Sequence, residues 1–304
     1  MVEMYLDAVA LGELGQYELA VEKLRAVIEL DPDFAMAYSE LGRAYRVLGQ
    51  HEQAVSPLRT AVKLNPSSLE DYLNLGDTYQ QLGKPAAAAA AYARAAELDS
   101  QNIEALLGAA ESYLAAGEYA RALAYCESAG QTDEAPHEAL ALLARIYGAQ
   151  KDYERAIQAY RSWLALDAEN PEALLLLGLA YMKAEQYENA CETLKVAAEV
   201  QPRDGRAFRH LGFCLVKLGW ADRAVEMYER ALALDSRDWE AHRGLGVAHM
   251  VRARRASDAK LEALAVQHWR QSLEICPGQP KREVLERLIR EHSDTTDGLK
   301  GLDY

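Results

Sequence analysis

The chain has 304 residues, of which 33 are Lys or Arg and 47 Asp or Glu, giving a formal net charge of −14. Such an excess of carboxylates disfavours wholesale binding to nucleic acid or to an anionic membrane. No apolar run reaches transmembrane length and the N-terminus carries no basic-then-apolar signal segment, so a soluble, cytoplasmic protein is expected. A periplasmic or membrane-associated setting stays open for a chain whose N-terminal segment has been removed.

The residues from Ala35 to Ser68 set the pattern for the rest. Tyr38, Leu41, Gly42 and Tyr45 recur at helical spacing, a turn follows at Gly49, and Ala54, Leu58 and Ala61 mark a second amphipathic helix that ends at Asn65-Pro66. The same slots return every 34 residues. The slot of Gly42 holds Gly76, Gly178, Gly212 and Gly246, with Ala8, Ala110 and Ala144 completing it. The slot of Ala54 is Ala at 20, 88, 122, 156, 190 and 224 as well. One helical pair has no second layer, so it buries its apolar stripes only against copies of itself.

These slots resemble the tetratricopeptide repeat family: Leu-Gly, Tyr, a turn Gly, Tyr, Ala and a closing Pro. The resemblance covers residues 1–279 and implies an all-α, right-handed superhelical α-solenoid that acts as a protein-interaction scaffold. Eight repeats are expected, at 1–34, 35–68, 69–102, 103–136, 137–170, 171–204, 205–238 and 239–279, the last with an insertion. A capping helix over 280–292 and a flexible tail over 293–304 complete the domain plan.

In chain order, repeat 1 is atypical, with Asp7 where Leu41 and Leu75 stand later. Ser68, Asn102, Asn170, Asp204 and Asp238 precede first helices, and each side-chain oxygen suits an N-cap worth about 1 kcal/mol. Pro85 and Pro171 suit helix starts. Pro57 falls inside a second helix and predicts a bend there. Gly130-Gln131-Thr132-Asp133 replaces apolar helix, so the second helix of repeat 4 is expected to end a turn early, with Trp163 swinging into the space. In repeat 8 the Ala slot slips to Ala265, an insertion of seven residues containing Arg252, Arg254, Arg255 and Lys260. That segment is expected to be an exposed basic loop or helix extension used for contact.

Candidate chemistry is sparse. The chain has no phosphate-binding Gly-rich loop, no GxSxG, no HExxH and no CxxC, so no catalytic, cofactor or metal residues are assigned and no enzyme activity is expected. His210 and Cys214, four apart on one helix, are two potential metal ligands without a third, and His242 and His249 share a face on which His249 replaces the recurrent Tyr. A core role outweighs ligation for all four. Cys126, Cys191, Cys214 and Cys276 read as small core residues of a reducing compartment.

Charge is unevenly spread. Residues 203–255 carry 11 Lys and Arg against 7 Asp and Glu, a net of +4; with −2 from 256 onward, residues 1–202 hold −16. The bipolar pattern suits an acidic partner segment steered to the C-terminal repeats. Two ligand modes known in the family are disfavoured, because a carboxylate clamp would need Lys and Asn where Ser39 and Arg43 stand, and an asparagine ladder would need more than Asn74.

The resemblance implies that the free stripe of each first helix lines a concave groove. That stripe reads Leu107 and Leu114, then Leu175, Leu179 and Met182, then Arg206, Arg209, Phe213 and Val216, and finally Arg243, Val247 and Met250. The expected occupant is a partner protein segment, amphipathic with an acidic end. The rival reading is a recruiting arm of a larger enzyme or secretion assembly, and self-association also stays open.

Overall fold

The computed structural model describes residues 1–132 and 136–297, and over them the chain forms helical hairpins and no strand. The first four hairpins are α1 (Val2–Glu13) with α2 (Tyr17–Leu30), α3 (Ala35–Val47) with α4 (His51–Leu64), α5 (Leu69–Gln81) with α6 (Pro85–Leu98), and α7 (Ile103–Ala115) with α8 (Tyr119–Ala129). The next four are α9 (Pro136–Ala149) with α10 (Tyr153–Leu166), α11 (Pro171–Lys183) with α12 (Tyr187–Val200), α13 (Gly205–Lys217) with α14 (Ala221–Leu234), and α15 (Trp239–Ala256) with α16 (Ala259–Ile275). A single helix, α17 (Arg282–Asp297), follows. None of the described helices is long and apolar enough to cross a membrane.

Helix starts follow the side chains that precede them. Ser68, Asn102, Asn170, Asp204 and Asp238 each accept a backbone N–H of the following first turn, as their positions predict. Asp152 and Asp258 do the same for α10 and α16. Pro85 and Pro171 open α6 and α11. Pro57 sits inside α4 without ending it, and Thr60 Oγ1 donates to the Ser56 carbonyl 3.1 Å away, one residue before the proline. Helix α8 has 11 residues where α2, α4 and α6 have 14, and it stops before Gly130. Asp133 and Glu134 lie outside the described residues.

Packing within a hairpin depends on the small residue of its first helix. A Cβ built on Gly42 would lie 2.4 Å from Leu58 Cγ, so the α4 leucine occupies the space that any side chain would need. Leu58 itself is fully buried, as are Ala54 and Ala61 beside it.

The chain divides into two compact units, Met1–Lys151 and Asp152–Tyr304, and the boundary falls between α9 and α10, inside the fifth expected repeat. In the first unit, buried Leu24, Val27, Leu41, Tyr45 and Leu58 form one cluster and Tyr92, Tyr113, Cys126, Leu142 and Ile146 another. In the second, Met250, Val266, Trp269 and Leu285 join α15, α16 and α17.

At the C-terminal end the insertion in repeat 8 takes the second of its two expected forms, a helix extension: α15 has 18 residues against 13 in α13, and α16 has 17 against 14 in α14. Its expected exposure is corrected in part, because Ala253 is buried, Arg252 pairs with Asp222 at 2.7 Å and Arg255 donates to the Gly219 carbonyl at 2.8 Å. The last helix outruns its expected end at 292 and continues to Asp297, so the tail expected from 293 is helical over its first five residues. Residues 298–304 lie outside the described residues.

Candidate partner-binding groove

One groove of the second unit is framed by α13, α15 and α17, with Met182 of α11 also in its lining. Its volume is about 660 Å³. Phe213, Val216, Trp239, Val247, Val284 and Leu288 make its walls apolar. Phe213 and Val247 are 39% and 37% exposed and Val284 is 44% exposed, so three partly exposed apolar side chains share the groove.

Four cations on and beside the groove fall into two classes. Arg206 is held by Asp204, the N-cap of α13, at 2.7 Å, and that guanidinium draws the Asp204 carboxyl below the usual carboxylate range. Arg209 reaches Asp238 at 2.8 Å and Glu240 at 3.2 Å. Both charges are answered within the chain. Lys217 and Arg243 instead rest on aromatic rings: the Lys217 ammonium lies 5.6 Å from the centre of Phe213 and 5.7 Å from that of Tyr187, and the Arg243 guanidinium lies 4.8 Å over Trp239. Arg243 also donates to the Pro280 carbonyl at 3.5 Å. Among the described residues neither forms an ion pair.

Of the residues expected on the groove, Met182, Arg209, Phe213, Val216, Arg243 and Val247 are brought together in its wall. Arg206 is exposed on α13 and tied to its cap. Leu179 is half-buried on α11. Leu107 and Leu114 are half-buried against the core of the first unit. Two residues are corrected. Leu175 is only 5% exposed, a core position; the same slot one and two repeats later carries Arg209 and Arg243, whose longer stems reach polar partners. Met250 is 6% exposed because it belongs to the buried cluster of Val266, Trp269 and Leu285, which joins α15, α16 and α17.

Sequence reading missed the wall supplied by Trp239 and by Pro280, Val284 and Leu288, which it took for a cap. A signal was present: Phe213 with Lys217, and Trp239 with Arg243, are aromatic and cation four apart on successive first helices.

His210 also lines the groove, and burial pushes its pKa down to about 4, so it stands neutral at pH 7. Cys214 lies fully buried, and the neighbouring Cys191 thiol of α12 together with burial raises its pKa. His210 and Cys214 thus serve different surroundings, and among the described residues no group of three or more His, Cys, Asp and Glu is arranged to hold a metal ion.

The family model described as the cilia and flagella-associated protein 70 C-terminal domain matches residues 6–250. No curated protein sequence is matched. Among solved structures, the C-terminal part of a tetratricopeptide-repeat protein from Cytophaga hutchinsonii is similar at 17% identity and a TM-score of 0.66, over 79% of this chain and 99% of that one. A chain of the APC/C hetero-tetramer Cut9–Hcn1 is similar at 19% identity and 0.55, over 91% of this chain but 52% of that one, so the present chain spans about half its length. MamA from Desulfovibrio magneticus is similar at 22% identity and 0.51, over 56% and 96%. At these identities the likeness is one of fold.

Proposed function

Since the chain belongs to the tetratricopeptide-repeat family whose model spans residues 6–250, we propose that it is a non-catalytic scaffold that receives a segment of a partner protein in the groove of α13, α15 and α17. The segment is amphipathic with an acidic end. The observation that carries this reading is the pair Lys217 and Arg243, cations seated on aromatic rings beside apolar walls and left without a carboxylate. A carboxylate placed at either cation would form charge-assisted hydrogen bonds while its apolar neighbours cover Phe213 and Val247. Each apolar side chain so covered contributes about 1.5 to 3 kcal/mol before the costs of association. The four cysteines are free and three are buried, which supports a reducing, cytoplasmic setting.

The test is a fluorescence-anisotropy titration with synthetic amphipathic helices ending in Asp-Glu or in Lys-Lys. The acidic helix is expected to bind, and Arg243→Glu or Val247→Glu to weaken it about tenfold or more with the melting temperature kept. Equal binding of both helices, or no effect of either substitution, counts against the groove.

A further inference from the structure

The extended hairpin of α15 and α16 builds a second surface that the groove does not use. Its five extra residues carry α15 alongside the turn that joins α13 to α14. There the Arg255 guanidinium donates to the Gly219 carbonyl at 2.8 Å, and Arg252 pairs with Asp222 at 2.7 Å. The fit is close, because a Cβ on Gly219, whose φ is +80°, would meet Arg255 at 3.3 Å. Between these two anchors the turn displays Trp220, 49% exposed, with the Arg223 guanidinium 5.4 Å from the centre of its ring. Three guanidinium groups and one exposed indole therefore share a ledge, and among the described residues only one of the three, Arg252, forms an ion pair, with Asp222.

The chemistry of the ledge narrows its ligand. Gly219 answers Arg255 only with a neutral carbonyl and Trp220 answers Arg223 only with a ring, so two positive charges remain unneutralised. Guanidinium groups pair bidentately with carboxylates, and an exposed indole is the side chain that most often anchors a protein partner. A nucleic acid strand or an anionic bilayer extends well beyond one hairpin turn, and a chain of net charge −14 repels such long polyanions. A short acidic peptide confines its charge to the ledge, within about the 8 Å screening length of physiological salt.

We propose that Trp220, Arg223, Arg252 and Arg255 form a docking ledge for an acidic segment of a partner protein, separate from the groove. The probe is a fluorescein-labelled peptide with Asp and Glu around a central Leu, titrated against the full chain at two salt concentrations. It binds, several-fold more weakly at the higher salt, and Trp220→Ala with Arg223→Glu weakens it about tenfold or more. Arg255→Gln, which keeps a donor for Gly219 and removes the charge, weakens it in the same direction and guards against a variant that fails to fold. On a Val247→Glu background, which closes the groove to the probe, the same ledge substitutions weaken the peptide by a similar factor. The proposal is overturned if the ledge variants bind the peptide like the unaltered chain, or if Val247→Glu abolishes binding while they retain it. Tighter binding of phosphatidylserine vesicles or of a single-stranded oligonucleotide than of the peptide overturns it too.

Discussion

Tyr92 accounts for two glycines on two different helices. A Cβ on Gly76 would lie 2.8 Å from its ring and one on Gly108, in the next hairpin, 2.7 Å, while the phenol hydroxyl donates to Asp77. Four repeats later Tyr228 stands between Gly212 and Gly244 in the same way, with Cβ positions 3.0 and 2.2 Å away. The slot shared by Gly108 and Gly244 looks arbitrary along the chain, since elsewhere it takes Glu40, Asn74 or His210. At Gly108 and Gly244 the preceding second helix brings a tyrosine ring against it, although Leu176 fills the slot after Tyr160. The turn slot behaves differently. Gly49 and Gly83 hold it at positive φ, but Lys151 and Glu185 fill the same slot at +63° and +59°, where a Cβ is strained by roughly 1 kcal/mol. Glu185→Gly is therefore expected to stabilise the protein by up to about 0.5 kcal/mol, the entropy of the unfolded glycine cancelling most of the relief. A denaturant midpoint unchanged or lowered at constant m-value contradicts that.

Within the α15 and α16 hairpin, three histidines stack. His268 of α16 lies between His242 and His249 of α15, with ring centres 5.4 and 5.7 Å away and 3.1 Å between Nδ1 of His242 and Nδ1 of His268. Burial first, then the neighbouring rings of His242 and His249, pushes His268 down to about 4; burial and Arg252 lower His249. Both folded values lie below the ordinary value near 6.5, so the unfolded chain binds more protons on acidification. Their contribution is complete above about pH 7 and is lost as the pH falls from 6.5 towards 4. Melting curves between pH 7 and pH 5 are expected to show a smaller drop for His268→Gln than for the unaltered chain. Parallel slopes would mean that the stack does not titrate with unfolding.

At the scale of the molecule, stability is a sum over hairpins and the contacts between neighbours, so weak points are local. The shortened α8 and the run from Gly130 to Thr132 mark one such place. Amides there are expected to exchange with solvent faster than those from Asn65 to Ser68, where α4 is full length and Ser68 caps α5. Hydrogen exchange read by mass spectrometry settles it, equal protection at the two places being the adverse result.

The 34-residue period, the hairpins and most helix starts were legible in the chain itself, because they follow from spacing, small residues and capping oxygens that act within a few residues. Asp204 and Asp238 cap α13 and α15 wherever those helices later pack. The groove was legible only in part. Its stripe on α13 and α15 could be counted off, yet Leu175 and Met250 belong to the core and Trp239, Val284 and Leu288 to the wall. Those assignments depend on which helices come to pack together, as α15, α16 and α17 do around Met250, Trp269 and Leu285, and helical spacing is blind to that. The arginines divide for the same reason: Arg206 and Arg209 find carboxylates while Lys217 and Arg243 find rings. Net charge by segment registers the cations, but only their placement in space decides which of them remain for a partner.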